Sequence, residues 1–156
     1  MGRRYLAAFV AMTLATGLLL TACGQASGAS TVAVTETIFN ITVQPNKIQA
    51  GKVRFVVTNP SIMRHEFLVI RTDLGPSDLP TDFDGHVNED AIDILDTIED
   101  VPPRGSGALP IDLPAGHYVL ICNLPEHYKE GMHAELLVTN ANGEVPTAAP
   151  SSSSGS

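Results

Sequence analysis

Short runs of apolar residues, bounded by Gly, Pro and Asn, recur through the middle of the chain and predict β-strands. In the clearest run Val53, Phe55 and Val57 occupy alternate positions, as in a strand with one buried face. His65 to Arg71 is apolar on both faces and predicts a central strand. Other runs of this kind are Val32 to Val34, Ile38 to Val43, Leu109 to Leu113, His117 to Cys122 and Met132 to Thr139. Strands at these intervals predict an all-β fold, an antiparallel Greek-key β-sandwich.

The segment from Asp73 to Asp100 departs from this strand pattern. It contains ten carboxylates and no Lys or Arg, which is more typical of a solvated face than of a docking patch. Asn88 is a good helix N-cap, and the acidic residues that follow it suit the positive end of a helix dipole. Apolar residues then fall at helical spacing, at Ala91, Ile92, Leu95 and Ile98. The pattern predicts a loop and then a short helical insertion, about two to three turns long, that lies on the sandwich.

The first 22 residues are interpreted as a signal peptide. Arg3 and Arg4 precede an uncharged apolar run, Leu6 to Leu20, which is too short for a comfortable membrane span. The run ends in Leu20-Thr21-Ala22-Cys23, which resembles the lipobox of bacterial lipoproteins. That resemblance implies an exported protein, lipidated at Cys23 and anchored to the outer face of a bacterial membrane. A plain secretory signal with a chance cysteine is the alternative.

These boundaries divide the chain into a signal peptide (1–22), a lipidated tether (23–30), one folded domain (31–139) and a tail (140–156). The tether is small and polar, as a flexible linker needs to be. The tail is mostly Ala, Pro, Ser and Gly, with too little apolar content to fold, and predicts disorder.

Charge and cysteine usage narrow the possible partners. The formal net charge is −8, and removal of Arg3 and Arg4 leaves seven basic against 17 acidic residues, a net charge of −10. This balance argues against nucleic acid and favours a cationic partner. The only cysteines are Cys23 and Cys122, so lipidation of Cys23 leaves Cys122 unpaired. An unpaired thiol in an oxidising compartment indicates a metal ligand or a nucleophile.

Cys122, His127 and Met132 follow one another at the spacing C-x4-H-x4-M, in a loop between two predicted strands. Strand parity turns Met132 toward the core together with Leu136, whereas His133 points to solvent. Thiolate and thioether suit Cu(I), and imidazole suits both oxidation states. A His2Cys site with a long, weak axial Met is the type 1, or blue, copper arrangement.

A second imidazole must come from outside this loop. His65 is the best candidate, because it begins a central apolar strand just after a turn. His86 lies in the acidic segment, and His117 is about 16 Å from Cys122, at roughly 3.3 Å per residue. His86, His117 and His133 are therefore interpreted as structural or surface residues.

With these motifs the chain resembles the cupredoxins, specifically the small plastocyanin-like bacterial copper proteins. The matching pieces are Asn59 to Phe67, Leu113 to Tyr118 and Cys122 to Met132. The resemblance implies a Greek-key sandwich of about eight strands with one copper ion at one end, bound by His65, Cys122, His127 and Met132. It also implies that His65 is the buried imidazole and that His127, near the surface, passes the electron.

The sequence departs from the family at two positions. Relatives often have Gly where this chain has Glu126, and many have Asn or another small polar residue where this chain has Glu66. A carboxylate near copper would favour Cu(II) and lower the reduction potential. Glu66 is therefore a competitor for the axial position that is assigned to Met132.

The leading hypothesis is a single-electron carrier that docks a redox protein donor and acceptor, such as a cytochrome or a membrane oxidase, near His127. The alternative is a copper carrier that delivers the metal to a membrane oxidase through the same ligands. An enzyme with a Cys-His nucleophilic pair is disfavoured, because no third orienting residue or oxyanion-hole signature accompanies Cys122.

Overall fold

The computed structural model describes residues 28–147, so the signal peptide, Cys23 and the end of the tail lie outside the described residues. Nine strands and one short 3-10 helix (Glu89–Ala91) form this part of the chain. The strands are β1 (Ser30–Thr37), β2 (Asn40–Gln44), β3 (Lys47–Gln49), β4 (Gly51–Thr58), β5 (His65–Arg71), β6 (Asp93–Val101), β7 (Ser106–Leu113), β8 (Gly116–Ile121) and β9 (His133–Thr139). Among residues 28–147, no helix has the length and hydrophobicity that a transmembrane span requires.

The strands form two sheets that face each other, which confirms the predicted all-β sandwich. One sheet has four strands in the order β2-β1-β4-β7, and the other has five in the order β3-β9-β8-β5-β6. Most neighbours are antiparallel, but β1 pairs with β4 and β3 pairs with β9 in parallel. The prediction of an antiparallel sandwich was therefore wrong for these two pairs.

Period-two alternation fills the space between the sheets, as the sequence pattern predicted. Phe55 from β4 and Phe67 from β5 meet across the sandwich with ring centroids 5.2 Å apart. Tyr118 and Leu120 point from β8 into the same core as Cys122, and all three are fully buried. Burial of each large apolar side chain stabilises the fold by about 1.5–3 kcal/mol.

The connection between β5 and β6, residues 72–92, covers the outer face of the five-stranded sheet. Its Leu79 and Val87 pack with Tyr128 against Val119 and Ile121, which point away from the main core. This cluster explains why β5 and β8 are apolar on both faces, since both faces of the sheet are buried.

The predicted helix in the acidic segment is wrong except for its first turn. Asn88 caps that turn as predicted, because its side chain accepts a hydrogen bond from the backbone N–H of Asp90 at 3.1 Å. The 3-10 helix ends at Ala91, and Asp93–Val101 forms strand β6. The free edge of β5 is the reason, because pairing with β6 satisfies its backbone groups, which a helix could not do.

Candidate metal centre

Three elements bring the metal-binding candidates to one end of the sandwich. His65 begins β5 and Cys122 directly follows β8, and the antiparallel register that pairs Leu68 with Ile121 places both at the same end. His127 lies in the loop between β8 and β9. The ring of Phe39, from the turn between β1 and β2, packs edge-on against the His127 ring at a centroid distance of 5.6 Å.

The donor atoms of His65, Cys122 and His127 converge, and we call them the donor cluster. Cys122 Sγ is 3.2 Å from His127 Nδ1 and 4.0 Å from His65 Nδ1, and the two Nδ1 atoms are 3.3 Å apart. All three side chains are buried, with at most 5% of the surface of each residue exposed. Two imidazole nitrogens and one thiol sulfur at these separations can bind a single soft or borderline metal ion.

A serine hydroxyl determines which nitrogen of His65 is free for a metal. Ser61 Oγ lies 3.0 Å from His65 Nε2 and 2.7 Å from Asn59 Oδ1, to which it donates. The hydroxyl therefore accepts from Nε2–H, which leaves the Nδ1 lone pair directed at the donor cluster. Asn59 is in turn held by the backbone carbonyls of Met63 and Val101, at 2.7 and 3.0 Å. This network orients the His65 ring.

Both imidazoles are suited to remain neutral. Burial, and then the neighbouring His127, lower the pKa of His65 to about 4. Burial also lowers the pKa of His127. Neutral imidazole is the form that binds a metal, so neither ring has to lose a proton at neutral pH.

Cys122 does not have the environment of a catalytic nucleophile. Its side chain is fully buried, and burial raises the pKa of its thiol to about 12. Activated cysteines instead have a lowered pKa and are accessible to substrate. The backbone N–H of Glu66 approaches the Cys122 sulfur at 3.4 Å, which suits a thiolate held by a metal ion.

Backbone hydrogen bonds close the ligand loop, residues 122–132. The Cys122 N–H donates to the Met132 carbonyl at 3.1 Å, and the Met132 N–H donates to the His127 carbonyl at 2.9 Å. Met132 is fully buried and packs in the main core, as its strand parity predicted. The axial role that the sequence assigns to Met132 stays a prediction.

The other histidines lie outside the donor cluster, as expected, but the prediction that His133 points to solvent was wrong, because His133 is half-buried on the face of the sheet that residues 72–92 cover. His86 lies 3.4 Å from Asp84. His117 lies at the far end of β8, 2.6 Å from the Thr72 carbonyl and 2.8 Å from Glu135. His133 packs against the Tyr128 ring at a centroid distance of 5.4 Å.

The two positions at which the sequence departs from the cupredoxins that it resembles have different structural consequences. Glu126 adopts a φ of 68°, a left-handed conformation that favours glycine, which explains why Gly suits this position. Glu66 is half-buried, and its carboxylate accepts from the backbone N–H of Asn123. Within residues 28–147, the donor cluster consists of His65, Cys122 and His127 and does not include Glu66.

Sequence reasoning missed one unusual group, the carboxylate of Glu36. The residue is fully buried at the end of β1, and within the described residues neither carboxylate oxygen has a hydrogen-bond partner. Burial, and then the charge of Glu66, raise the pKa of Glu36 to about 8. Parity could have found it, because Val32, Val34 and Glu36 share one face of the strand.

Solved structures match this chain, although no family model and no curated protein does. Auracyanin B matches with a TM-score of 0.55 and 22% identity, over 71% of this chain and 89% of that protein. Reduced auracyanin from the photosynthetic bacterium Roseiflexus castenholzii matches with a TM-score of 0.52 and 21% identity, over 72% and 99% of the two chains. Auracyanin A is a blue copper protein from the green thermophilic photosynthetic bacterium Chloroflexus aurantiacus. It matches with a TM-score of 0.50 and 20% identity, over 72% and 100%.

The chain has the cupredoxin fold. At these identities the likeness establishes the fold, and the case for a metal rests on the chain's own residues. The donor cluster supports that case, because it combines a buried thiol with two buried imidazoles whose Nδ1 atoms lie 3.2 and 4.0 Å from the sulfur. This is the donor set of a type 1 copper site.

Proposed function

We propose that the protein is a single-electron carrier with one type 1 copper ion bound by His65, Cys122, His127 and Met132. The convergence of two Nδ1 atoms and a sulfur in a buried cluster is the observation that carries this proposal. A bound copper ion would supply a one-electron Cu(II)/Cu(I) couple. If the chain keeps the donors at one spacing in both oxidation states, the rearrangement on electron transfer would be small.

Each residue contributes to that rigidity in its own way. The Ser61 hydroxyl keeps the tautomer of His65, and the Glu66 N–H stabilises charge on the Cys122 sulfur. Phe39 packs against the His127 ring and shields it from water. Met132, buried on the core side of the loop, would supply a weakly binding thioether.

The same proposal includes export and docking. The protein is lipidated at Cys23 and anchored to the outer face of a bacterial membrane, and it exchanges electrons with redox proteins such as a cytochrome or a membrane oxidase. His127 is the donor with residual exposure, 5%, against 0% for His65 and Cys122. The neighbouring Pro125 is exposed and Leu124 half-buried, so electrons pass through the His127 edge to a partner docked there.

Copper delivery to an oxidase is not favoured by any feature of the site. A delivery protein needs an exchangeable metal, whereas these donors are buried, and hydrogen bonds to neighbouring groups hold His65 and Cys122. We therefore expect a competing chelator to remove copper slowly compared with electron exchange.

The visible spectrum after addition of Cu(II) tests the proposal, with Cys122→Ser as the isosteric variant. We expect an intense sulfur-to-copper charge-transfer band that Cys122→Ser abolishes. His86→Ala is the matched control, because this histidine lies outside the donor cluster and should leave the band intact. Absence of the band in the wild-type protein, or its survival in Cys122→Ser, would refute the copper–thiolate site.

A further inference from the structure

The connection formed by residues 72–92 is tied to the ligand loop at two points, each next to a donor. Asn123 directly follows Cys122, and Tyr128 directly follows His127. Both side chains turn away from the donor cluster and bind the backbone of the connection. A link to the connection therefore follows each of the two donors, and the two links constrain both ends of the segment between Cys122 and Tyr128.

Asn123 binds both backbone groups of one residue of the connection. Its side-chain oxygen accepts from the Val87 N–H at 2.8 Å, and its amide nitrogen donates to the Val87 carbonyl at 3.0 Å. The same nitrogen donates to Glu89 Oε1 at 2.9 Å. Two hydrogen bonds to a single residue fix the orientation of the Asn123 side chain as well as its position.

Tyr128 forms the second link with its hydroxyl and its ring. The hydroxyl donates to the Pro76 carbonyl at 2.9 Å and accepts from the Leu79 N–H at 3.1 Å. The ring is buried beside Leu79 and Val87, in the cluster that covers the outer face of the sheet. The hydroxyl therefore has both a hydrogen-bond donor and an acceptor in the connection.

The connection can hold the loop because it is itself anchored. It begins at the end of β5 and leads into β6, two strands that pair with each other along their length. A hairpin within it is closed by hydrogen bonds from Asp82 N–H to the His86 carbonyl, 2.7 Å, and from Asn88 N–H to the Pro80 carbonyl, 2.8 Å. The links therefore join the ligand loop to a structured part of the sheet.

We propose that Asn123 and Tyr128 are positioning residues, through which the connection holds Cys122 and His127 at the spacing that a bound metal requires. This inference rests on the proposed copper site and deepens it, because it assigns the loop's rigidity to a specific brace. Mutation of groups that orient metal ligands from outside the coordination sphere commonly lowers metal affinity 10–100-fold.

Tyr128→Phe and Asn123→Ala test the brace in the full chain loaded with Cu(II). The Phe variant keeps the buried ring and removes only the two hydroxyl hydrogen bonds. We expect each variant to shift the charge-transfer band and to lose copper to a chelator about tenfold faster than the wild type. Asn123→Ala acts at a different link, so it tests the proposal if Tyr128→Phe fails to fold.

Tyr118→Phe is the matched control. Tyr118 is also buried, and its hydroxyl donates to a proline carbonyl, that of Pro114, at 2.7 Å, away from the donor cluster. This variant should lower stability and leave the band and the rate of copper loss unchanged.

Two results would overturn the brace. One is a wild-type band and wild-type copper retention in both folded variants. The other is a loss of thermal stability in Tyr128→Phe that matches Tyr118→Phe, with no change in the band or in copper loss. Failure of the copper site itself would look different, because the wild-type protein would then show no band.

Discussion

Glu36 shows how the burial of one side chain can destabilise the folded state that contains it. Burying an ionised carboxylate without a hydrogen-bond donor is unfavourable, so the group keeps its proton instead. Its neighbours on the same face of β1, Val32 and Val34, offer it no polar contact. The stability of the fold therefore falls as this carboxyl group loses its proton.

Glu36→Gln should remove a pH dependence of stability in the metal-free protein. The pKa of Glu36 rises from 4.5 to about 8 on folding, so between these values the folded state holds a proton that the unfolded chain has released. Its contribution to stability is present below about pH 4.5 and is lost as pH rises toward 8. A pKa that differs by one between the folded and unfolded states corresponds to about 1.4 kcal/mol, so the loss is several kcal/mol in order of magnitude.

Urea unfolding at a series of pH values measures this effect. The difference in unfolding free energy between Glu36→Gln and the wild type should grow from pH 5 to about pH 8 and then level off. The exposed Glu130→Gln serves as control and should give a constant difference. A difference for Glu36→Gln that does not change with pH would show that the buried carboxylate ionises normally.

At the scale of the elements, the local sequence pattern correctly predicted the features that depend on neighbouring residues, namely the direction of side chains and the positions of strands. Parity in β9 correctly placed Met132 on the core side, and a turn followed by an apolar strand singled out His65. The sandwich followed from the spacing of strands and turns. The spacing of strands did not predict which strands pair, because the parallel pairing of β1 with β4 depends on contacts between distant segments.

Strand β6 shows why some features of the fold and of the site could not be predicted from the sequence. Ile94, Leu95 and Ile98 fit both a helical and an extended pattern, and the acidic residues around them favour a helix N-terminus. The structure resolves the ambiguity through the edge of β5, which lies far back in the sequence. The links of Asn123 and Tyr128 to residues 72–92 are also tertiary and leave no local signature.

Glu126→Gly should be tolerated and should stabilise the ligand loop by up to about 1 kcal/mol. A non-glycine residue in the left-handed region is strained by about 1–3 kcal/mol, and glycine relieves this strain but adds freedom to the unfolded chain. The lost ion pair with Lys129 is exposed and contributes little.

Glu130→Gly in the same loop is the matched control for thermal unfolding. The φ of Glu130 is not positive, so glycine brings only added unfolded-state freedom and should destabilise by about 0.5–1 kcal/mol. If both variants lose stability equally, backbone strain at Glu126 does not lower the stability of the wild-type protein.

At the scale of the whole molecule, the distribution of charge bears on which partner the protein attracts. The net charge is −8, and the ten carboxylates between Asp73 and Asp100 lie in or beside the connection that braces the ligand loop. A surface cavity beside the donor end is lined by Glu66, Glu89 and Asp90 together with the apolar Leu124 and Pro125. An acidic rim around an apolar contact surface would attract a basic redox partner and then let it dock closely.

Asp90→Asn should therefore slow electron exchange with a small cationic cytochrome at low salt. Stopped-flow rates for the wild type should fall steeply as ionic strength rises, since screening shortens the range of the attraction to about 8 Å at physiological salt. Asp112→Asn removes the same charge from β7, at the end of the sandwich away from the donor cluster, and should change the rate less. If the rate does not depend on salt, or if both variants change it equally, the acidic connection does not steer the partner. Electron transfer would then depend on the apolar surface around His127 alone.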